Sequence, residues 1–313
     1  MPVLPPLVLT GNRIDALGPL NLYGAMLHSF CVPADQVKIQ ALLDKMFSVP
    51  SQGAVRYEAV GDKVFVSFAE IDRIVALDAL EKNHGSSSEI DVTVWTIARR
   101  LDDGLFALRF IPVYLFVDNG PAMASGREVW GFPKQLAQFD FTPRSLNGDS
   151  GRTFNINGYV LSPFAPDTRA AWAPLCEAKP DTPQSGGSNI LDSLEALAVV
   201  LLERLGDGFA GIAGALTTIL GAGNGSMAFL KQFPDAADPF SACYQGIIEA
   251  PCSVLAIRSA GLTDSTYQLR LLSYASLPFL DELGITPDWQ NVGRGIWVDF
   301  DFTLGLGTEV WRA

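Results

Sequence analysis

The chain has 313 residues, 48% of them hydrophobic and only 18% charged, with a formal net charge of −12. That acidic balance excludes nucleic acid and anionic membrane surfaces as main partners. The high apolar share calls for a large interior or for surface buried in a homo-oligomer. Four cysteines, Cys31, Cys176, Cys243 and Cys252, lie far apart with no Cys-x-x-Cys pair, a pattern of a reducing compartment and of neither a disulfide framework nor a zinc site.

The N-terminal MPVLPPLVLTGNR lacks a basic n-region and is broken by prolines, so it does not read as a signal peptide. No apolar run reaches the roughly 18 residues of a membrane span, and a cytoplasmic protein is expected. Residues 36–47 (QVKIQALLDKMF) carry apolar positions at helical spacing and predict a short amphipathic helix. From Ala54 to about Phe116 the runs VRYEAV, KVFVSFAEI, IDVTVWTIA and LFALRFIPVYLFV are β-branched and aromatic, separated by GD, NHGSSS and DDG. Short turn-forming connections of this kind favour an antiparallel sheet or barrel over a parallel α/β fold. Further strands are expected at 153–160, 253–258, 266–273 and 295–303.

Residues 179–189 (KPDTPQSGGSN) read as a polar linker. Two helix-like apolar stretches follow, 190–205 and 209–220, closed by GAGNG at 221–225. The second is nearly all apolar and must pack against the core, another subunit, a lid position or a membrane surface, with core or subunit packing the favoured reading.

Several chemistries lack their residues. His28 and His84 do not stand in metal-ligand spacing, and neither a G-x-S-x-G elbow nor a G-x-x-x-x-G-K-[ST] loop occurs. Lys134 points elsewhere. It follows Val129, Trp130, Gly131, Phe132 and Pro133, where a solubilising charge is least expected. Apolar surroundings strip the hydration that keeps an ammonium protonated, so such a lysine has a lowered pKa and offers a free amine. A free amine can attack a ketone and form a Schiff base. The alternative is a snorkelling surface lysine, the common case after an aromatic-rich strand.

The run GREVWGFPKQLA, with VDNGPA just before it, resembles the active-site segment of the acetoacetate decarboxylase family. Asp118, Asn119, Gly126, Arg127, Glu128, Phe132, Pro133, Lys134 and Leu136 match that segment in order and spacing. The match is good over about 105–145 and returns over about 227–313, whereas 181–225 has no counterpart. The resemblance implies an α+β, mainly antiparallel β-barrel or cone with flanking helices, formed as a single domain over 1–313 with a helical insertion at about 181–225. It also implies that Lys134 forms the imine, that CO₂ leaves a β-keto acid as the electrons move into it, and that no metal or organic cofactor takes part. Acetoacetate decarboxylase is the standing example of a lysine activated by a cationic neighbour. Here the neighbouring position holds Gln135, which cannot repel an ammonium, so desolvation by Trp130 and Phe132 must do more of the work. Gln135 either hydrogen-bonds a substrate oxygen or faces solvent.

The resemblance further places a proton-handling glutamate at Glu89, in SSSEIDVTVW, and a second near Glu70. Arg127 and Glu128 are expected to brace the segment as a buried or half-buried ion pair. Arg13 is the candidate in its region for an arginine that holds the substrate carboxylate, at poor spacing. The expected partner is a small-molecule keto acid. An aldolase or dehydratase working through the same imine, or a non-catalytic ligand-binding protein on the same fold, are the alternatives.

Overall fold

The computed structural model describes residues 7–8, 17–79, 81–103, 108–144, 151–184 and 224–313. Both helix-like stretches expected after the linker, and Arg13, lie outside the described residues. The strands form a 12-stranded sheet: β1 (Leu20–Pro33), β2 (Tyr57–Ala59), β3 (Lys63–Ala76), β4 (Ser87–Arg100), β5 (Leu108–Val117), β6 (Lys134–Phe141), β7 (Phe154–Val160), β8 (Ala171–Pro183), β9 (Asn224–Pro234), β10 (Ala242–Leu271), β11 (Gln290–Leu304) and β12 (Thr308–Arg312). The order is β2-β4-β3-β1-β11-β10-β8-β7-β6-β5-β9, and additional β4–β5 and β10–β9 pairings close it on itself. Closure pairs the strands of the ring on both sides, while β2 on β4 and β12 on β10 are each attached along one side.

The α+β class and the antiparallel majority agree with the sequence expectation, with two exceptions. β5 pairs in parallel with β6 and, through Phe110 and Met227, with β9. Two other readings need correction. Residues 179–183, taken as linker, extend β8, where Pro180 faces Tyr267 and Pro183 faces Ser265 across β10. The stretches 253–258 and 266–273 belong to one continuous strand, β10, whose register shifts absorb the interruptions between them.

Alternation of side chains across the pleat gives the closed sheet two apolar surfaces. One face of β3 and β4 sends Val64, Val66, Phe68, Val92 and Val94 into a large core shared with β7, β8 and helix α1 (Gln36–Leu43). Asp35 caps α1 by accepting from the Val37 and Lys38 amides, which satisfies two otherwise orphaned donors. Ile39, Leu42, Leu43 and Phe47 are buried from α1 and the π-helical turn after it, each contributing about 1.5–3 kcal/mol by leaving water. Helix α3 (Phe279–Leu283) packs Phe279, Leu280 and Leu283 into the same core. On β10, buried Glu249 is met by the Tyr57 hydroxyl at 2.7 Å, by Arg109 at 2.9 Å and by Arg100 at 3.2 Å. That full set of partners is what makes a buried carboxylate tolerable. The opposite face of β3 and β4 turns towards a cavity. Among the described residues no helix is long and apolar enough to cross a membrane.

Candidate active site

A cavity of about 380 Å³ lies inside the ring formed by β1, β3, β4, β5, β9, β10 and β11. Its wall is mostly apolar, and Lys134 and Glu89 face into it together. The parallel β5–β6 pairing sets Lys134 beside Leu115, and the β3–β4 ladder sets Glu89 opposite Ile71. Lys134 is 8% exposed and Glu89 5%. The Lys134 Nζ donates to Glu89 Oε1 at 2.6 Å, and the Phe132 ring centroid lies 5.5 Å from the same nitrogen. The pair is short, charge-assisted and shielded from bulk water.

The segment before Lys134 is built to aim it. Asn119 caps helix α2 (Gly120–Ser125) by accepting from the Ala122 amide, and a π-helical turn continues over Gly126–Trp130. Gly131, at φ 94°, reverses the chain, a conformation for which glycine carries no Cβ penalty. A Cβ there would also fall 2.8 Å from the Lys231 backbone. Trp130, 1% exposed, donates its indole N–H to the Gly305 carbonyl at 2.9 Å and lines the cavity. Phe132 packs on Phe229 at 4.2 Å between centroids. Lys231 donates to the Val129 carbonyl at 3.1 Å, and burial pushes its pKa down.

Asp118 and Asn119 tie this segment to β4 on either side of Glu89. Asp118 accepts from the Ile90 amide at 3.1 Å, and the Asn119 side-chain amide donates to the Ser88 carbonyl at 3.1 Å. The matched motif thus contains the nucleophile candidate and the ties that hold its partner.

Four predicted residues stand elsewhere. Gln135 is exposed and outside the cavity wall, because adjacent residues of a strand point to opposite faces. Glu70 also takes the other face of its strand and pairs with Arg152 at 2.7 Å and Arg144 at 3.4 Å. Arg127 and Glu128 are both exposed and do not form the buried pair expected of them. The Arg127 guanidinium donates instead to the Lys134 carbonyl at 3.1 Å, bracing the main chain of the lysine. A lysine placed at 135 by Gln135→Lys is therefore expected to change turnover no more than about twofold, as for other surface substitutions. Steady-state rates of the two proteins check this.

Asp91 was missed. It lines the cavity with Glu89 and Lys134, and the Thr93 hydroxyl donates to it at 3.1 Å. Burial, then the nearby Glu89 carboxylate, push its carboxyl up to about 7. The signal was present in the sequence: Ser87, Glu89, Asp91 and Thr93 are polar at every second position, with Ile90 and Val92 between them and Val94 after. Such alternation marks one polar and one apolar face. A folded carboxyl with a raised pKa binds its proton more tightly than the unfolded chain does, so its contribution to stability falls as pH rises from about 4 to about 7. Asp91→Asn removes that slope. Urea midpoints should match the parent at pH 4 and exceed it at pH 8, and parallel curves would refute the assignment.

Residues 106–160 match the family model described as acetoacetate decarboxylase. In structure, the chain is similar to acetoacetate decarboxylase from Legionella pneumophila, with a TM-score of 0.63 and 17% identity over 100% of this chain and 93% of that one. The chain has the acetoacetate decarboxylase-like fold. An acetoacetate decarboxylase-like enzyme from Sphingomonas wittichii RW1 shares this fold at a TM-score of 0.62 and 12% identity, over 98% of each chain. The enduracididine biosynthesis enzyme MppR, complexed with pyruvate, shares it at 0.59 and 13% identity over 96% of this chain and 93% of that one. No curated protein sequence matches the chain.

Proposed function

We propose that this protein is a Schiff-base lyase in which Lys134 attacks the carbonyl of a β-keto acid and CO₂ leaves from the resulting imine. The observation that carries the reading is the Lys134–Glu89 contact of 2.6 Å inside an apolar cavity. Attack requires an amine with its lone pair free, and the Glu89 carboxylate is the adjacent acceptor for the proton it gives up. Loss of water leaves a protonated imine. The bond to the carboxylate then breaks, its electrons neutralise the iminium as an enamine, and CO₂ departs. Protonation of the enamine carbon and hydrolysis return the ketone and the free lysine.

Asp91 is suited to supply that carbon with a proton, since a carboxyl titrating at about 7 is protonated in a large share of molecules at neutral pH. Among the described lining residues, Lys134 is the one cation. A substrate carboxylate in this cavity finds its counter-charge in the iminium itself, and that interaction is what drives electrons towards nitrogen.

A second reading is favoured by the same Asp91. An aldolase or dehydratase acting through the imine must move protons at the neighbouring carbon, and two carboxyls on one strand face offer an acid and a base for that. Borohydride trapping with a panel of keto acids, followed by peptide mass analysis, tests both. An adduct on Lys134 with CO₂ release is expected. An adduct without CO₂ moves the chemistry to the aldol type, and no adduct with any carbonyl acid defeats the imine reading.

A further inference from the structure

The cavity is far longer than a four-carbon keto acid requires. Lys134 enters it at the level of Leu115, yet the lining continues along β5 to Phe110 and along β4 from Glu89 to Trp95. At about 3.3 Å of rise per strand residue these are spans of roughly 16 and 20 Å. Its polarity is graded along that length. Glu89, Asp91 and Lys134 are its charged residues among those described, and they stand together at the level of Ile71, Ala69 and Leu115, with Leu22, Ile74 and Phe302 beyond them on one side. Trp95, Phe110, Ile257 and Ile296 line the other side, and Val298 lies at the level of Asp91.

At the level of Ile296, polar atoms bond to one another. The Ser29 and Ser67 hydroxyls lie 2.8 Å apart, and the Trp95 indole N–H donates to Ser67 at 2.7 Å. One hydroxyl hydrogen of the pair is left over for a ligand, and the rest of the wall around it is apolar. The distal half therefore rewards apolar surface, and a volume of about 380 Å³ drawn out over that length makes a tube.

We propose that the substrate is a carbonyl acid carrying a straight alkyl chain, with its carbonyl at Lys134 and its tail running between β4, β5 and β11 to the Trp95–Ile296 end. This rests on the imine reading of Lys134 for the head group alone. Burying each further methylene is worth about a three- to fourfold gain in affinity where the wall stays dry.

The test uses two series on the full chain. Acetoacetate, 3-oxohexanoate, 3-oxooctanoate and 3-oxodecanoate are compared for borohydride trapping at Lys134. The n-alcohols from butanol to decanol, which have no carbonyl, are titrated by calorimetry. Both series should strengthen with length, by on the order of 10³ from the shortest to the longest member. Ile296→Phe should weaken the long members far more than the short ones. Equal trapping of all four acids with flat alcohol binding overturns the tail proposal while leaving the imine intact. Length-dependent alcohol binding without any adduct supports the tube and defeats the imine.

Discussion

Lys134→Arg is expected to abolish borohydride trapping and to lower turnover by about 10³-fold or more, the scale on which removal of a covalent nucleophile acts. Arginine is the informative replacement. It keeps a cation beside Glu89, whereas alanine leaves a buried carboxylate without its partner, which costs about 3–5 kcal/mol and confuses lost chemistry with lost fold. A guanidinium stays charged and cannot form the imine. The arginine protein should therefore unfold at nearly the urea concentration of its parent. Lys134→Ala should unfold earlier, and adding Glu89→Gln to it should restore part of the loss. Trapping that persists in Lys134→Arg would assign the amine to another lysine.

Gly126→Ala is the second large effect, and here activity and stability part company. Gly126 has helical dihedrals, φ −60° and ψ −45°, where alanine ordinarily stabilises by about 0.4–1 kcal/mol through the unfolded chain. A Cβ at this position would lie 2.6 Å from Lys134 Cδ and 2.9 Å from Cε. The lysine must swing away, and its nitrogen leaves Glu89. Displacement of a reacting group by about 1 Å costs on the order of 10² in rate. Turnover and trapping rate should drop by that factor while the thermal midpoint stays level or rises. A thermal midpoint that falls in parallel with activity would mean that the strain is taken by the backbone and not by the lysine.

Much of the fold was legible where the chain obeys simple periodicity. β3, β4 and β5 alternate or run apolar between turn residues, and the stretches expected there overlap the strands found. β8 was not legible, because Pro174, Pro180 and Pro183 argue against a strand with neighbours on both sides. It nevertheless pairs with β7 and β10, at the cost of register shifts in each ladder. β10 was read as two strands because Gly261 and Asp264 interrupt its apolar run, and only the partner strands show that it continues.

At the site, Lys134 stood out by its company, and Trp130 and Phe132 by their place beside it. What the sequence could not convey was facing. Gln135 and Glu70 are each one residue out of step with cavity-lining neighbours, Lys134 in one case and Ala69 and Ile71 in the other. A single position along a strand decides between pocket and outside. The expectation that Gln135 weakens the chemistry thus rested on an adjacency that the pleat denies. Asp91 was missed for the converse reason: it belongs with Glu89 only once the strand is seen to share one face between them.

The ties from Asp118 and Asn119 to Ile90 and Ser88 have a further consequence. If β4 slipped by one residue against its neighbours, Ser87, Glu89, Asp91 and Thr93 would turn into the large apolar core, and Ile90, Val92 and Val94 would paper the cavity. The pocket would become a greasy channel with an orphaned lysine, and two acids would be stranded in the interior. Two residues outside the cavity thus fasten β4 at Ser88 and Ile90, on either side of the acid that the alignment keeps inside the pocket.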